Sequence, residues 1–176
     1  TRIIGNFSPS FNIIKGLTYK LNFGIDNSNY TTNNQSLPNA VPLRDGRLET
    51  FYNTGNNKLI ENYLTYERNS DIHNISALVG HSYQKFFGQL RGSSINKFPI
   101  SDIEPIYNPG LGQELTLANN RPLGSANINE LQSFFGRATY QYHNKYLVTA
   151  TVRADGSSKF GANNKYGYFP SAAFAW

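Results

Sequence analysis

Two alternations run through this sequence at once, and together they constrain its fold more than composition does. The first runs residue by residue. Leu17, Tyr19, Leu21, Phe23 and Ile25 share one parity, and Thr18, Lys20, Asn22, Gly24 and Asp26 share the other. Side chains of an extended strand point to opposite faces with period two, so this pattern predicts a strand over 17–26 with one apolar and one polar face. Residues 72–85 repeat it: Ile75, Ala77, Val79 and Tyr83 alternate with Asn74, Ser76, Gly80, Ser82 and Gln84. So do both arms around His143-Asn144-Lys145. Phe134, Gly136, Ala138, Tyr140 and Tyr142 alternate with Phe135, Arg137, Thr139 and Gln141. Beyond the turn, Tyr146, Val148, Ala150 and Val152 alternate with Leu147, Thr149, Thr151 and Arg153. A tight polar turn between such runs is a hairpin signal.

The second alternation runs connection by connection. Further strands are predicted up to residue 14, over 58–68, from 131 and over 166–176, giving about seven in all. Short links at Lys15-Gly16, at Asn69-Ser70-Asp71 and at His143-Asn144-Lys145 alternate with long polar ones over 27–57, 86–129 and 154–165. The prolines of the second long stretch argue against a regular element there. Tight turns at one rim and long loops at the other are what an up-and-down transmembrane β-barrel requires. The alternative reading, a soluble or surface-attached β-sandwich that binds glycans, has no reason to segregate its loops. No run approaches the ~20 apolar residues of a spanning helix. Mean hydropathy is −0.49, which a barrel strand tolerates because only every second residue needs to be apolar.

Composition closes off several chemistries. There is no cysteine, which excludes disulfides, thiolate metal sites and cysteine nucleophiles. The net charge of +5 comes from scattered Lys and Arg rather than from a basic stripe, so nucleic-acid binding has little support. The 12 Tyr and 12 Phe suit either an aromatic sandwich core or the interfacial girdles of a barrel. The chain opens on Thr1-Arg2-Ile3-Ile4 without Met and closes on Trp176, which suggests a segment of a larger protein.

The last quarter is similar to the SusC/RagA family of TonB-dependent outer-membrane transporters. The resemblance rests on Ser133-Phe134-Phe135-Gly136-Arg137, on Asn144-Lys145-Tyr146-Leu147, on the run Arg153-Ala154-Asp155-Gly156-Ser157-Ser158-Lys159-Phe160-Gly161, and on Tyr166-Gly167-Tyr168-Phe169-Pro170-Ser171 through Trp176. Weaker upstream matches are Lys15-Gly16-Leu17 running into Phe23-Gly24, and Phe98-Pro99. The resemblance implies a barrel of about 22 strands with a plugged lumen. Residues 1–176 would be part of that barrel, since about eight strands are the fewest that close one. It further implies an outer-membrane location, a SusD-like surface lipoprotein as partner, TonB acting through a region outside this chain, and import of oligosaccharides or peptides. No cofactor and no enzymatic step are implied.

The residues themselves offer little covalent chemistry. His73 and His81 share a parity but lie about 26 Å apart along an extended strand, too far to share a metal; two polar rings bracketing an apolar band fit them better. His143 sits in a turn. Gly80-His81-Ser82-Tyr83-Gln84 lacks the second glycine of a nucleophile elbow. Asp26-Asn27-Ser28-Asn29 lacks the glycine and glutamate of a calcium loop. Asn74-Ile75-Ser76 is a glycosylation sequon in mid-strand. What remains is the polar strand face: Lys20, Asn22, Asp26, Asn74, Ser82, Arg137, Gln141 and Arg153 would line a lumen or meet its plug. Tyr30, Phe51, Tyr52, Phe98 and Tyr107 are expected in the long loops, placed to stack on a sugar, meet a lid or pack the loops. Arg137, Arg153, Tyr30, Tyr52 and Tyr107 are the substrate-contact candidates.

Overall fold

A computed structural model describes residues 1–113, 122–161 and 164–176. β1 (Arg2–Phe7) and β2 (Ser10–Ile14) both pair with β3 (Leu17–Ser36). Pro9 interrupts the ladder because it has no N–H to give, yet its carbonyl still accepts from the Leu21 amide at 3.1 Å. β4 (Asn39–Ala40) and β5 (Leu43–Arg44) form a separate two-residue hairpin. Then come β6 (Gly46–Asn69), β7 (His73–Phe98), β8 (Leu123–Tyr142), β9 (Tyr146–Ser157) and β10 (Tyr166–Ala175). The main sheet has the order β1-β3-β6-β7-β8-β9-β10, with β2 beside β3, so strands pair with their neighbours in sequence. This is the antiparallel up-and-down wall expected of a barrel segment. A sandwich would require a second sheet; among the described residues the only other pairing is β4 with β5.

The predicted tight turns are present, and their backbones show why. Gly16 has φ +82°, and a side chain there would collide with the Glu67 carbonyl. The close approach lets the Glu67 amide donate to Gly16 O at 2.7 Å. His143 and Asn144 both sit in the left-handed region, at φ 51° and 54°, the twist that suits the tight turns of antiparallel hairpins. The Lys145 amide closes the turn on Tyr142 O at 3.0 Å. The resulting register pairs Tyr142 with Tyr146, Ala138 with Ala150 and Phe134 with Ala154.

The long connections are shorter than the sequence suggested. Of residues 27–57, β3 claims those up to Ser36 and β6 those from Gly46. Of 86–129, β7 runs on to Phe98 and β8 starts at Leu123. Of 154–165, β9 extends to Ser157. In residues 27–36 both faces are polar, and in 46–57 and 86–98 the apolar residues Leu48, Phe51, Phe87, Leu90, Ile95 and Phe98 keep no steady alternation, while backbone pairing continues. The prolines of 86–129 all lie beyond Phe98, at positions 99, 105, 109 and 122, and do not obstruct the strand. Tyr30, Phe51, Tyr52 and Phe98 are therefore strand residues, and only Tyr107 lies in a connection. Residues 114–121 and 162–163 of the expected loops fall outside the described residues.

The chain divides into two compact units. The first comprises Thr1–Arg2, Asn27–Asn56 and Phe87–Asn127; the second comprises Ile3–Asp26, Asn57–Phe86 and Ile128–Trp176. Leu48 and Phe98, the two buried hydrophobics among the described residues, belong to the first unit, as does the fully buried Pro105. In the second unit the usual order of burial is inverted. Phe134, Tyr140, Tyr142, Tyr146, Val148 and Val152 are exposed, whereas Thr139, Gln141, Thr149 and Thr151 on the opposite face are half-buried. Apolar side chains facing out from hydrogen-bonded strands are the solution that a hydrocarbon surround demands.

Candidate functional site

On the apolar face of the second unit, ring-bearing residues mark two levels. At one end His73 Nδ1 lies 2.7 Å from the Tyr140 hydroxyl, and its ring also packs against Tyr142 at 5.4 Å. Lys145 approaches the Tyr146 ring, and Tyr146 stacks with Phe174. At the other end His81 packs on Phe134 at 4.8 Å between centroids and meets Gln132 Nε2 at 3.1 Å, and Gln132 accepts from the Tyr166 hydroxyl at 2.8 Å. Between these levels stand Ile75, Ala77, Val79, Ala138, Val148 and Ala150. His73 and His81, about 26 Å apart along the strand, each lie at one of these levels. Beyond the second level, Lys85 pairs with Glu130 at 3.0 Å. Lys85 and the Tyr83 hydroxyl hold the Glu130 carboxyl below its ordinary value, and Glu130 in turn raises Lys85.

The polar face of the second unit carries a connected set of side chains centred on Phe135. Gly80 on β7 has no side chain, and the Phe135 ring fills that space. Tyr63 packs against the Phe135 ring, tilted, at 5.7 Å between centroids. Arg153, directly opposite Phe135 in the β8–β9 register, sits with its guanidinium 5.8 Å from the ring centre. That guanidinium is held in place: Arg153 Nε donates to both Asp155 oxygens at 2.6 and 2.9 Å, and its terminal nitrogen donates to the buried Ser133 hydroxyl at 3.3 Å. On β3 and β6, Asn22 donates to Glu61 at 2.7 Å. Asn22, Tyr63, Lys20 and Glu67 also line a cleft of about 450 Å³, in which Asn22 Oδ1 is buried without a partner. Arg137 stands on the same face but is bound only lightly, donating to Thr151 at 3.3 Å.

The five candidate contact residues therefore separate. Arg137 and Arg153 share the polar face of the second unit, with Arg153 committed to Asp155 and Ser133. Tyr30 and Tyr52 belong to two distinct clefts of the first unit. Tyr30 lines one of about 460 Å³, and Tyr52 lines one of about 370 Å³ beside Arg91. Tyr107 is 79% exposed on the connection after β7. Phe51 lies over Gly92, and Phe98 is buried rather than presented. Sequence reasoning passed over Ser133, Phe135, Tyr63, Glu61 and Asp155. The two-residue spacing of Arg153 and Asp155, which puts both on one face, was the available signal.

An antiparallel wall of neighbouring strands with an apolar band between aromatic levels and a polar opposite face defines a segment of a transmembrane β-barrel. Comparison with known proteins then identifies which barrel. The chain belongs to the SusC/RagA family of TonB-dependent receptors, as a piece of the barrel. It is 38% identical over 174 residues to TonB-dependent receptor P3 of Formosa agariphila, an alignment that takes in 97% of this chain and 17% of that receptor. It is 51% identical over 51 residues to TonB-dependent receptor SusC of Bacteroides thetaiotaomicron, covering 29% of this chain and 5% of SusC. Its backbone superposes on a chain of the RagAB peptide transporter with TM-score 0.83 and 26% identity, over 97% of this chain and 20% of that one. The chain thus spans about a fifth or less of the proteins it matches. No family model matches the sequence.

Proposed function

We propose that the chain is wall and outer-loop structure of an outer-membrane, TonB-dependent active transporter that imports oligosaccharides or peptides with a SusD-like lipoprotein as lid. The observation that carries this reading is the inverted burial of the second unit, together with a match to receptor barrels over nearly the whole chain. In this reading the apolar face contacts lipid, and the turn at His143-Asn144-Lys145 lies at the periplasmic rim. The Phe135–Arg153–Asp155 face lines the lumen, where plug contact accounts for its fixed geometry. Arg137 is the freer of the two lumen arginines and so the better candidate to meet a passing substrate. Tyr30, Tyr52 and Tyr107 would serve substrate or lid on the external side. TonB would act through parts of the protein outside this chain. The work is energised opening of a plugged pore, with no bond made or broken by these residues.

The test uses the full-length protein that contains this segment. It should fractionate with the outer membrane, migrate anomalously on gels until heated, and take up oligosaccharide or peptide only in cells that possess TonB. A soluble full-length protein, or uptake indifferent to TonB, would overturn the reading.

A further inference from the structure

We infer that a notch on the apolar face of the second unit, just beyond the level of His81 and Phe134, binds the phosphate headgroup of a lipid in the surrounding leaflet. This rests on the transporter reading only in taking that face as lipid-facing. The notch, about 210 Å³, is lined by Tyr83, Glu130, Gln132, Ser158, Lys165 and Tyr166. Its floor is Gly156 of β9, where a Cβ would stand 2.7 Å from the Tyr166 ring. Backbone hydrogen bonds hold the rim: the Ser157 amide donates to Lys165 O at 3.1 Å, and the Ser158 amide donates to Glu130 O at 2.9 Å. Gln132 joins the notch to the edge of the apolar band, meeting His81 on one side and the Tyr166 hydroxyl on the other.

The charge around the notch selects an anion. Lys85 pairs with Glu130 at 3.0 Å, and that carboxylate balances one cation. A second lysine stands beside the pair. Gly80 abuts the Asn62 carbonyl and Gly92 abuts the Thr50 carbonyl, an unbroken β6–β7 register that sets Lys58 next to Lys85. Lys58 is exposed, shares the parity of the exposed Ile60, and has no ion-pair partner among the described residues. Like charges on directly opposed strand residues are destabilising, so an anion placed between Lys58 and Lys85 relieves their repulsion. Lys165 adds a cation at the far rim. A phosphate accepts charge-assisted hydrogen bonds from such ammonium groups. A soluble phosphate would use the lysines alone. A lipid uses them together with the exposed Val79, Phe134 and Val152 of the adjoining band, which offer a surface to its acyl chains.

The experiment uses the full-length protein purified in detergent and follows binding by native mass spectrometry, with lipid A, enzymatically dephosphorylated lipid A and inorganic phosphate as probes. Lipid A is expected to bind, and its dephosphorylated form to bind weakly. Lys58→Gln should weaken the tightest lipid A about fivefold and Lys58→Glu about thirtyfold, the scale of one and two charges at an anionic lipid surface. Lys145→Gln, at the opposite level, should leave it unchanged. Heat-modifiable migration of each variant checks that the barrel still forms, and Lys58→Gln, at an exposed position, keeps the test open if Lys58→Glu misfolds. Equal binding of dephosphorylated lipid A, indifference to Lys58→Gln, an equal loss in Lys145→Gln, or displacement of lipid A by equimolar inorganic phosphate would each overturn the proposal. Outer-membrane fractionation and TonB-dependent uptake are measured separately on the same protein, so the transporter reading stands if this site alone fails.

Discussion

The Phe135 ring on β8 occupies the space where a side chain on Gly80 of β7 would stand. This contact fixes the ring between two strands and gives Tyr63 and Arg153 a surface to pack on. Gly80→Ala is therefore expected to destabilise the full-length barrel by about 1–3 kcal/mol, the usual cost of overpacking. Phe135→Ala in the same background should recover much of that loss, because the space is vacated. Urea unfolding of the two single variants and the double variant in lipid vesicles measures the coupling. Additive losses would refute the contact's role.

The β8–β9 register sets two directly opposed pairs side by side, one on each face: Ala138 with Ala150, and Thr139 with Thr149, whose hydroxyls lie 3.3 Å apart. Ala150→Lys should cost about 2–4 kcal/mol, as a cation placed in the middle of a lipid-facing band does. Thr149→Lys, one residue away on the polar face, should cost far less. Comparing the folding of the two variants into vesicles checks the assignment of faces. Equal losses, or the reverse order, would show that the faces are misassigned.

Arg153 is held by Asp155 and Ser133 and packs over Phe135, so its effect should not be that of a free surface cation. Arg153→Lys keeps the charge but loses the planar guanidinium whose Nε serves both Asp155 oxygens while a terminal nitrogen serves Ser133. The Arg153 side chain is 53% exposed and Asp155's is 35% exposed, so solvent screening limits the pair to about 1 kcal/mol or less. The single losses for Arg153→Ala and Asp155→Ala should overlap strongly, with the double variant close to either one alone. Chemical denaturation of the three variants measures this overlap.

Lys85 and Glu130 give opposite pH signatures. Glu130 is lowered in the folded protein, so its contribution is present above its unfolded value and is lost as the pH falls through the lowered one. Lys85 is raised, so its contribution is full below its unfolded value and is lost as the pH rises through the raised one. The pair should protect the adjoining middle stretches of β7 and β8 most from about pH 5 to pH 10. Glu130→Gln should remove the acid-side loss and leave the alkaline behaviour of other groups in place. Hydrogen exchange of the Lys85 and Glu130 segments between pH 3 and pH 6 in both proteins provides the check.

The parts of this fold that could be read in the sequence are those where one strand face is apolar. Leu17 to Ile25, Ile75 to Val79 and the arms around His143 all alternate, and all form strands with the expected faces. The extensions Asn27–Ser36 of β3 and Phe86–Phe98 of β7 could not be read in the same way, since their ladder consists of backbone hydrogen bonds that leave no mark on side-chain pattern. That is why Tyr30 and Tyr52 were expected in loops. The polar cluster was half legible. The tight turn pairs Tyr142 with Tyr146, and counting back from there sets Phe135 against Arg153 and Ser133 against Asp155. The seat of Phe135 on Gly80 joins strands separated by the long connection after β7, and no local pattern encodes it.

Because each strand of the wall pairs with its neighbours in sequence, a hairpin can be copied or deleted without re-threading the chain around it. The added pair would find the same two kinds of partner that its parent had. A gene for such a wall can change its pore diameter by duplicating a unit as short as β8 and β9, whose turn already carries its own register in His143 and Asn144. Strands would then be gained in twos, which agrees with the even strand numbers of bacterial outer-membrane barrels.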